Sequence, residues 1–117
     1  MARTATRIYV PLDVNFFDDP KIIAAGEAAG WLYLAMSTKA KQLDSDGVLE
    51  AGQIARFGIT NWRKRITRLI EVGAVEEGPP GIYGITGWLN WNESREARQA
   101  RLRMERDRKA RMRGDSA

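Results

Sequence analysis

Residues 60–85 read TNWRKRITRLIEVGAVEEGPPGIYGI. Four cations, Arg63, Lys64, Arg65 and Arg68, fall in one run of helical periodicity, Gly73 ends it, and two short apolar runs then flank Gly78-Pro79-Pro80-Gly81. On a helical projection Trp62, Ile66, Leu69 and Ile70 share one face, with Ile59 and Gly73 on the same side. Asn61, Lys64 and Arg68 project oppositely, Arg65 and Thr67 flank them, and Arg63 sits nearer the apolar face. Residues 74–77 and 82–86 are predicted strands joined through the proline turn. Two readings compete: a helix that enters a DNA groove with a β-hairpin wing behind it, or an amphipathic helix whose basic face is merely solvated. A basic face alone more often means the second, so the decision rests on what surrounds it.

Upstream the punctuation is clear. Apolar Ile8, Val10, Leu12 and Val14 alternate over residues 7–14, which predicts a short extended lead-in. Asp18-Asp19-Pro20 has the chemistry of a helix start, because a carboxylate caps free N–H groups and proline at the first helical position pre-sets φ. A short helix is predicted from Pro20 to about Ala25, and a long one from Glu27 to Leu43, where Ala28, Trp31, Leu32, Leu34, Ala35 and Met36 offer a broad apolar surface. Asp44-Ser45-Asp46-Gly47 is a turn, Val48 and Leu49 a small strand, and residues 50–57 a third helix ended by Gly58. The order is short helix, long helix, turn, helix, glycine turn, basic helix, hairpin. It is the layout of a winged helix-turn-helix, and it places the basic helix in the groove-entering position. The expected fold is therefore mainly α with a small β-hairpin, an α+β winged helix-turn-helix over residues 1–92. The hairpin itself argues for little DNA affinity, since Glu76 and Glu77 lie on its approach and its tip carries no Lys or Arg.

Charge divides the chain at the same boundary. Residues 1–92 balance ten Lys/Arg against ten Asp/Glu, and residues 93–117 carry nine against five, so this final segment holds the whole net charge of +4. Residues 93–113, ESREARQARLRMERDRKARMR, contain no Gly, Pro or β-branched side chain and favour helix. Arg101/Glu105, Glu105/Lys109 and Asp107/Arg111 have i,i+4 spacing. Ala97, Ala100, Leu102, Met104, Ala110 and Met112 make no sustained heptad, so an exposed, fraying basic helix is expected and not a coiled coil.

The residue inventory narrows the chemistry. The 117 residues suit one small domain with an appendage. No cysteine means no disulfide or thiolate metal site, and points to a reducing cytoplasm. No histidine removes the common nucleophile pairs, imidazole-bound zinc and the usual acid-base group near neutrality. Asp13, Asp18 and Asp19 are better explained as caps than as a metal site, and DSDG lacks the later ligands of an EF-hand. No enzyme activity, cofactor or metal is expected. The stretch around residues 22–36 is broken by Lys21, Glu27 and glycines and predicts no membrane span. Of four tryptophans that could stack bases, Trp31 and Trp62 fall on faces that spacing assigns to the core, and Trp88 and Trp91 are expected to close the underside of the domain.

Several stretches together resemble the N-terminal winged-helix domain of bacteriophage replication initiators, or replisome organisers, which are similar in turn to DnaD-type primosome proteins. They are YVPLDVNFFDDPKI (9–22), the long helix, DGVL (46–49), IEVGAVEE (70–77), and above all ITGWLNWNESREARQARLRMERDRKARMR (85–113). A strand ending in Trp-Leu, then a polar Ser-Arg stretch and an Arg/Glu-rich helix, is the recurrent pattern, here Trp88-Leu89 through Ser94-Arg95. The resemblance implies a phage or prophage DNA-binding protein acting at an origin, in the bacterial cytoplasm and associated with the nucleoid. Two departures matter: a His-Asp pair that often precedes the Trp-Leu motif is Thr86-Gly87 here, and the sequence stops at Ala117, where such proteins continue into a helicase-loading domain. Recruitment of a helicase is therefore not expected to carry over. The residues expected to meet double-stranded DNA are Thr60, Asn61, Lys64, Arg65, Thr67 and Arg68, with Arg95, Arg98, Arg101, Arg103, Arg106, Arg108 and Lys109 on the tail. A small transcriptional regulator or recombination directionality factor of the same fold remains open. So does an interaction module that docks on a host or phage replication protein, or pairs with a second copy of the chain.

Overall fold

A computed structural model describes residues 9–92 and 94–116. Chain entry is irregular: Tyr9 to Asp13 form no strand, Leu12 is 53% and Val14 95% exposed, and only Val10 packs on the core. The alternating segment therefore pairs with no strand of the sheet, and Arg7 and Ile8 lie outside the described residues. One 3-10 turn, Phe16–Asp18, leads into α1 (Pro20–Ala25). Asp19 caps α1 as expected, its carboxylate accepting from the Lys21 backbone N–H at 2.8 Å with Pro20 in the first turn.

Helix α2 (Glu27–Leu43) is the axis of the fold. Its buried stripe is Ala29, Leu32, Met36 and Ala40, spaced three, four and four residues apart, and the last three are fully buried. This stripe is narrower than the apolar surface read from sequence, for Ala28 and Trp31 lie outside it. Strand β1 (Val48–Glu50) follows the Asp44–Gly47 turn, then α3 (Ala51–Ala55), shorter at both ends than residues 50–57. Helix α4 (Trp62–Glu71) packs Ile66 and Leu69 against α2. Strands β2 (Val75–Glu77) and β3 (Ile82–Ile85) make the expected hairpin. The sheet is three-stranded and antiparallel in the order β1-β3-β2, with Leu49 opposite Tyr83 and Glu77 opposite Tyr83 on the other side. Leu49, Ile54, Val75, Tyr83 and Ile85 bring the sheet side of the core onto the α2–α4 layer. The architecture is α+β, mostly helical with one small sheet. Among the described residues no helix is long and apolar enough to cross a membrane.

Two further helices close the chain. Helix α5 (Trp88–Trp91) turns immediately after β3, and α6 (Arg95–Ser116) is a 22-residue helix that stretches the longest dimension to 61 Å. Trp88 is buried beneath the Asp44–Gly47 turn, as its expected closing role requires. Gly47 has φ +83°, and a Cβ there would lie 2.6 Å from Trp88 Cγ. Its carbonyl accepts from the Ile85 N–H at 2.9 Å, so this residue joins turn, sheet and indole at one point. Gly47→Ala is expected to lower unfolding stability by roughly 2–5 kcal/mol, the sum of a left-handed alanine and a forced clash. Denaturant unfolding followed by tryptophan fluorescence measures it, and a loss below about 1 kcal/mol would mean that the indole repacks without strain.

Candidate nucleic-acid interface

Residues 51–70 contain Arg56, Arg63, Lys64, Arg65 and Arg68 and no Asp or Glu. The fold concentrates this stretch on one side, because α4 runs back along α2: Ile59 borders Trp31, Ala35 and Thr38, Arg65 reaches the Ala28 carbonyl at 3.5 Å, and Arg68 reaches the Ala24 carbonyl at 2.8 Å. Successive turns of α4 thus step toward the N-terminal end of α2 and on to α1.

The expected contact residues divide into two kinds. Asn61 has a left-handed backbone (φ 56°) just before α4, is exposed, and its side chain makes no cap hydrogen bond. Thr60 and Lys64 are exposed beside it, and Arg63 lies 4.5 Å over the Trp62 ring with its guanidinium still at the surface. Thr67 is exposed, although its hydroxyl donates to the Arg63 carbonyl at 2.8 Å. Arg65 and Arg68 reach back onto neighbouring helices instead, although Arg68 stays exposed. Arg65 is half-buried on α2, and Arg68 adds an ion pair with Glu71 at 3.2 Å to its bond with α1. The exposed residues not tethered to α1 or α2 are therefore Thr60, Asn61, Arg63, Lys64 and Thr67, with Arg56 on the preceding turn. Arg56 and Arg63 were not singled out from sequence. The acid-free run around them was the available signal.

The hairpin is acidic, and one of its carboxylates has a structural partner. Glu77 accepts from the Gly81 N–H at 3.2 Å and stands opposite Tyr83 across the ladder. Burial first, and then the negative Glu77, push the Tyr83 phenol above its ordinary range, while Arg63 opposes them. Tyr83 therefore stays neutral at physiological pH. Tyr33 is raised likewise, by burial and then by Asp19.

The second basic region begins at the other end of α2. Asp46 Oδ1 accepts from the Arg95 N–H at 2.6 Å, Arg98 pairs with Asp44 at 2.9 Å, and Ser94 Oγ accepts from the Ala97 N–H at 3.0 Å. Buried Asn92 donates to the Trp88 carbonyl and accepts from Lys41 at 3.4 Å. Helix α6 is thus fastened over its first turn, and Arg101, Arg103, Arg106, Arg108 and Lys109 lie exposed beyond it. Arg101 is engaged with Glu105 at 3.2 Å, one of the three i,i+4 pairs expected. The structure does not merge the two regions: α4 tethers near Ala24 and Ala28, α6 near Asp44 and Asp46, and the 17 residues of α2 span about 25 Å.

Of Asp13, Asp18 and Asp19, only Asp19 makes a helix-capping bond among the described residues, while Asp13 Oδ1 accepts from the Asn15 N–H at 2.8 Å in a local turn. No group of three or more potential metal ligands occurs among the described residues. A cavity of about 710 Å³ lies between residues 11–22 and the base of the hairpin, beside Tyr33, Gly73 and Thr86. Comparison with known proteins gives no match to a family model, a curated protein or a solved structure. The fastening of α6 is open to a direct test. Ser94→Ala with Arg98→Ala removes its cap and its ion pair, and the far-UV helical signal is expected to fall while the melting temperature of the rest moves little, since a cap contributes about 1 kcal/mol and an exposed pair less. An unchanged helical signal would show that α6 is held without them.

Proposed function

We propose that the chain is a double-stranded DNA-binding protein with a winged helix-turn-helix fold, in which α3 and α4 form the helix-turn-helix and the β2–β3 hairpin is the wing. The observation that carries this reading is the acid-free run of residues 51–70, which presents Thr60, Asn61, Arg63, Lys64 and Thr67 together at the exposed start of α4. In a helix-turn-helix the N-terminal residues of the second helix meet base edges. Asn61 suits bidentate pairing to adenine, and Arg63 or Lys64 suits guanine edges or phosphates. Arg65 and Arg68 serve chiefly to hold α4 against α1 and α2. The acidic hairpin favours contact through the helix over contact through the wing. The exposed cations of α6 add affinity without sequence information by displacing condensed counterions. A role at a phage replication origin rests on the resemblance of residues 9–22 and 85–113 and is the process proposed.

Two measurements test the reading. Arg63→Ala with Lys64→Ala should weaken binding to duplex DNA by at least tenfold and reduce discrimination between duplexes, each lost base contact being worth about 1–3 kcal/mol. Unchanged affinity for every duplex offered, with the fold intact, ends the groove-reading idea. Deleting residues 95–117 should flatten the slope of log K against log salt by roughly 3–4 units while base preference persists. Parallel lines for the full and shortened chains would move the role of α6 to a protein interface.

A further inference from the structure

Trp31 contradicts the expectation that spacing places it in the core, for it is 62% exposed on α2. Its neighbours along the helix surface are Ala35, Thr38, Lys39 and Gln42, a stripe beside the buried one. Across from them the α3–α4 turn contributes Phe57 and Ile59, and the two sides enclose an open recess of about 490 Å³. Its floor is apolar and its rim polar. Lys39 reaches Gln42 Oε1 at 3.0 Å, and the Thr38 hydroxyl donates to the Ala35 carbonyl at 2.9 Å. Ile59 continues directly into Thr60 and Asn61, so the recess adjoins the exposed start of α4.

Charge identifies the occupant. The α3–α4 side belongs to the stretch that has five cations and no acid, and it places Arg56 next to Phe57. Arg65, on the Ala28 carbonyl, brings another cation within a helical turn of Trp31. On α2 itself the one acid is Glu27, a turn before Trp31, against Lys39 and Lys41. An exposed indole with an apolar floor, amide and hydroxyl groups at its edge and a net positive border matches a flat, hydrogen-bonding ring on a polyanionic chain.

We infer that Trp31 is a stacking platform for one unpaired nucleobase of a single-stranded DNA segment, with Lys39 and Arg56 near the adjoining phosphates. Bases stack on aromatic side chains with little sequence preference, and the charge beside them follows the backbone. The inference rests on the DNA-binding reading and extends it: duplex lies at the start of α4, and a base from an unpaired segment beside it enters the recess.

The test measures binding of the full chain to a short oligo(dT) and, separately, to a closed hairpin duplex, using wild type, Trp31→Ala and Trp31→Phe. Thermal melting confirms that the exposed position is replaced without loss of fold. Oligo(dT) should quench wild-type tryptophan fluorescence. Trp31→Ala should lose most of that quenching and roughly 5- to 100-fold in oligo(dT) affinity, with duplex affinity within about twofold of wild type. Trp31→Phe should recover most of the affinity, because it keeps an aromatic face. Equal oligo(dT) affinity in wild type and Trp31→Ala overturns the inference. So does an alanine variant that dissociates a dimer while binding oligo(dT) normally, which would assign the recess to a second copy. Loss of duplex binding in the wild type with a Trp31-dependent oligo(dT) complex intact would overturn the groove reading alone.

Discussion

The turn at Asp44–Gly47 is the constraint on which the arrangement depends. Asp44 and Asp46 are both left-handed, with φ of 54° and 55°, and Gly47 at φ +83° lets the backbone pass where Trp88 leaves no room for a Cβ. Short polar side chains tolerate that backbone region better than others do, which makes the turn affordable in this composition. Three of its four residues then do a second task. Gly47 bonds to the Ile85 N–H and so aligns β1 on β3. The two carboxylates point outward to the start of α6. One four-residue segment thereby fixes the end of α2, the register of the sheet and the departure of the C-terminal helix.

A second set of contacts orients α4. Its apolar face holds it through Ile66 and Leu69, with Trp62 and Ile70 packed beside them, and sets its rotation about the helix axis in outline. Arg65 and Arg68 add bonds to the Ala28 and Ala24 carbonyls that fix it. The carbonyl of Ala24 lies in the last turn of α1, where backbone acceptors lack helical partners and favour a cation. These arginines therefore have an intramolecular function that a helical projection cannot reveal. A projection ranks residues by angle, whereas an arginine side chain is long enough to bend back onto the neighbouring helix.

Much of the fold was legible because its punctuation is chemical. Asp19-Pro20 marks the start of α1, DSDG the end of α2, and Gly-Pro-Pro-Gly the hairpin tip, and in each case the residue type is what the backbone geometry demands. The alternating lead-in at residues 9–14 joins no sheet, because alternation makes a strand only where a neighbour pairs with it, and neither outer strand, β1 nor β2, does so. Trp31 was misread because hydrophobicity was counted across a wide arc. The polar residues at Thr38, Lys39 and Gln42, seven, eight and eleven positions on, marked its stripe as a surface one. At the candidate site the outward position of Asn61 and Lys64 followed from spacing, and the tethering of Arg65 and Arg68 did not.

The separation of the two basic regions limits how they act together under the proposed reading. With α4 fastened at the N-terminal end of α2 and α6 at its C-terminal end, about 25 Å of helix lies between the anchors. That distance is shorter than one turn of B-form DNA, roughly 34 Å. A single duplex is therefore long enough to meet both regions when α6 follows its backbone, and cations on the two helices add as phosphate contacts. The acids interspersed in α6 moderate self-repulsion along it, as the Arg101–Glu105 pair illustrates. Sequence preference then depends on the few outward side chains of α4, because α6 carries its charge on a surface with no fixed relation to base edges.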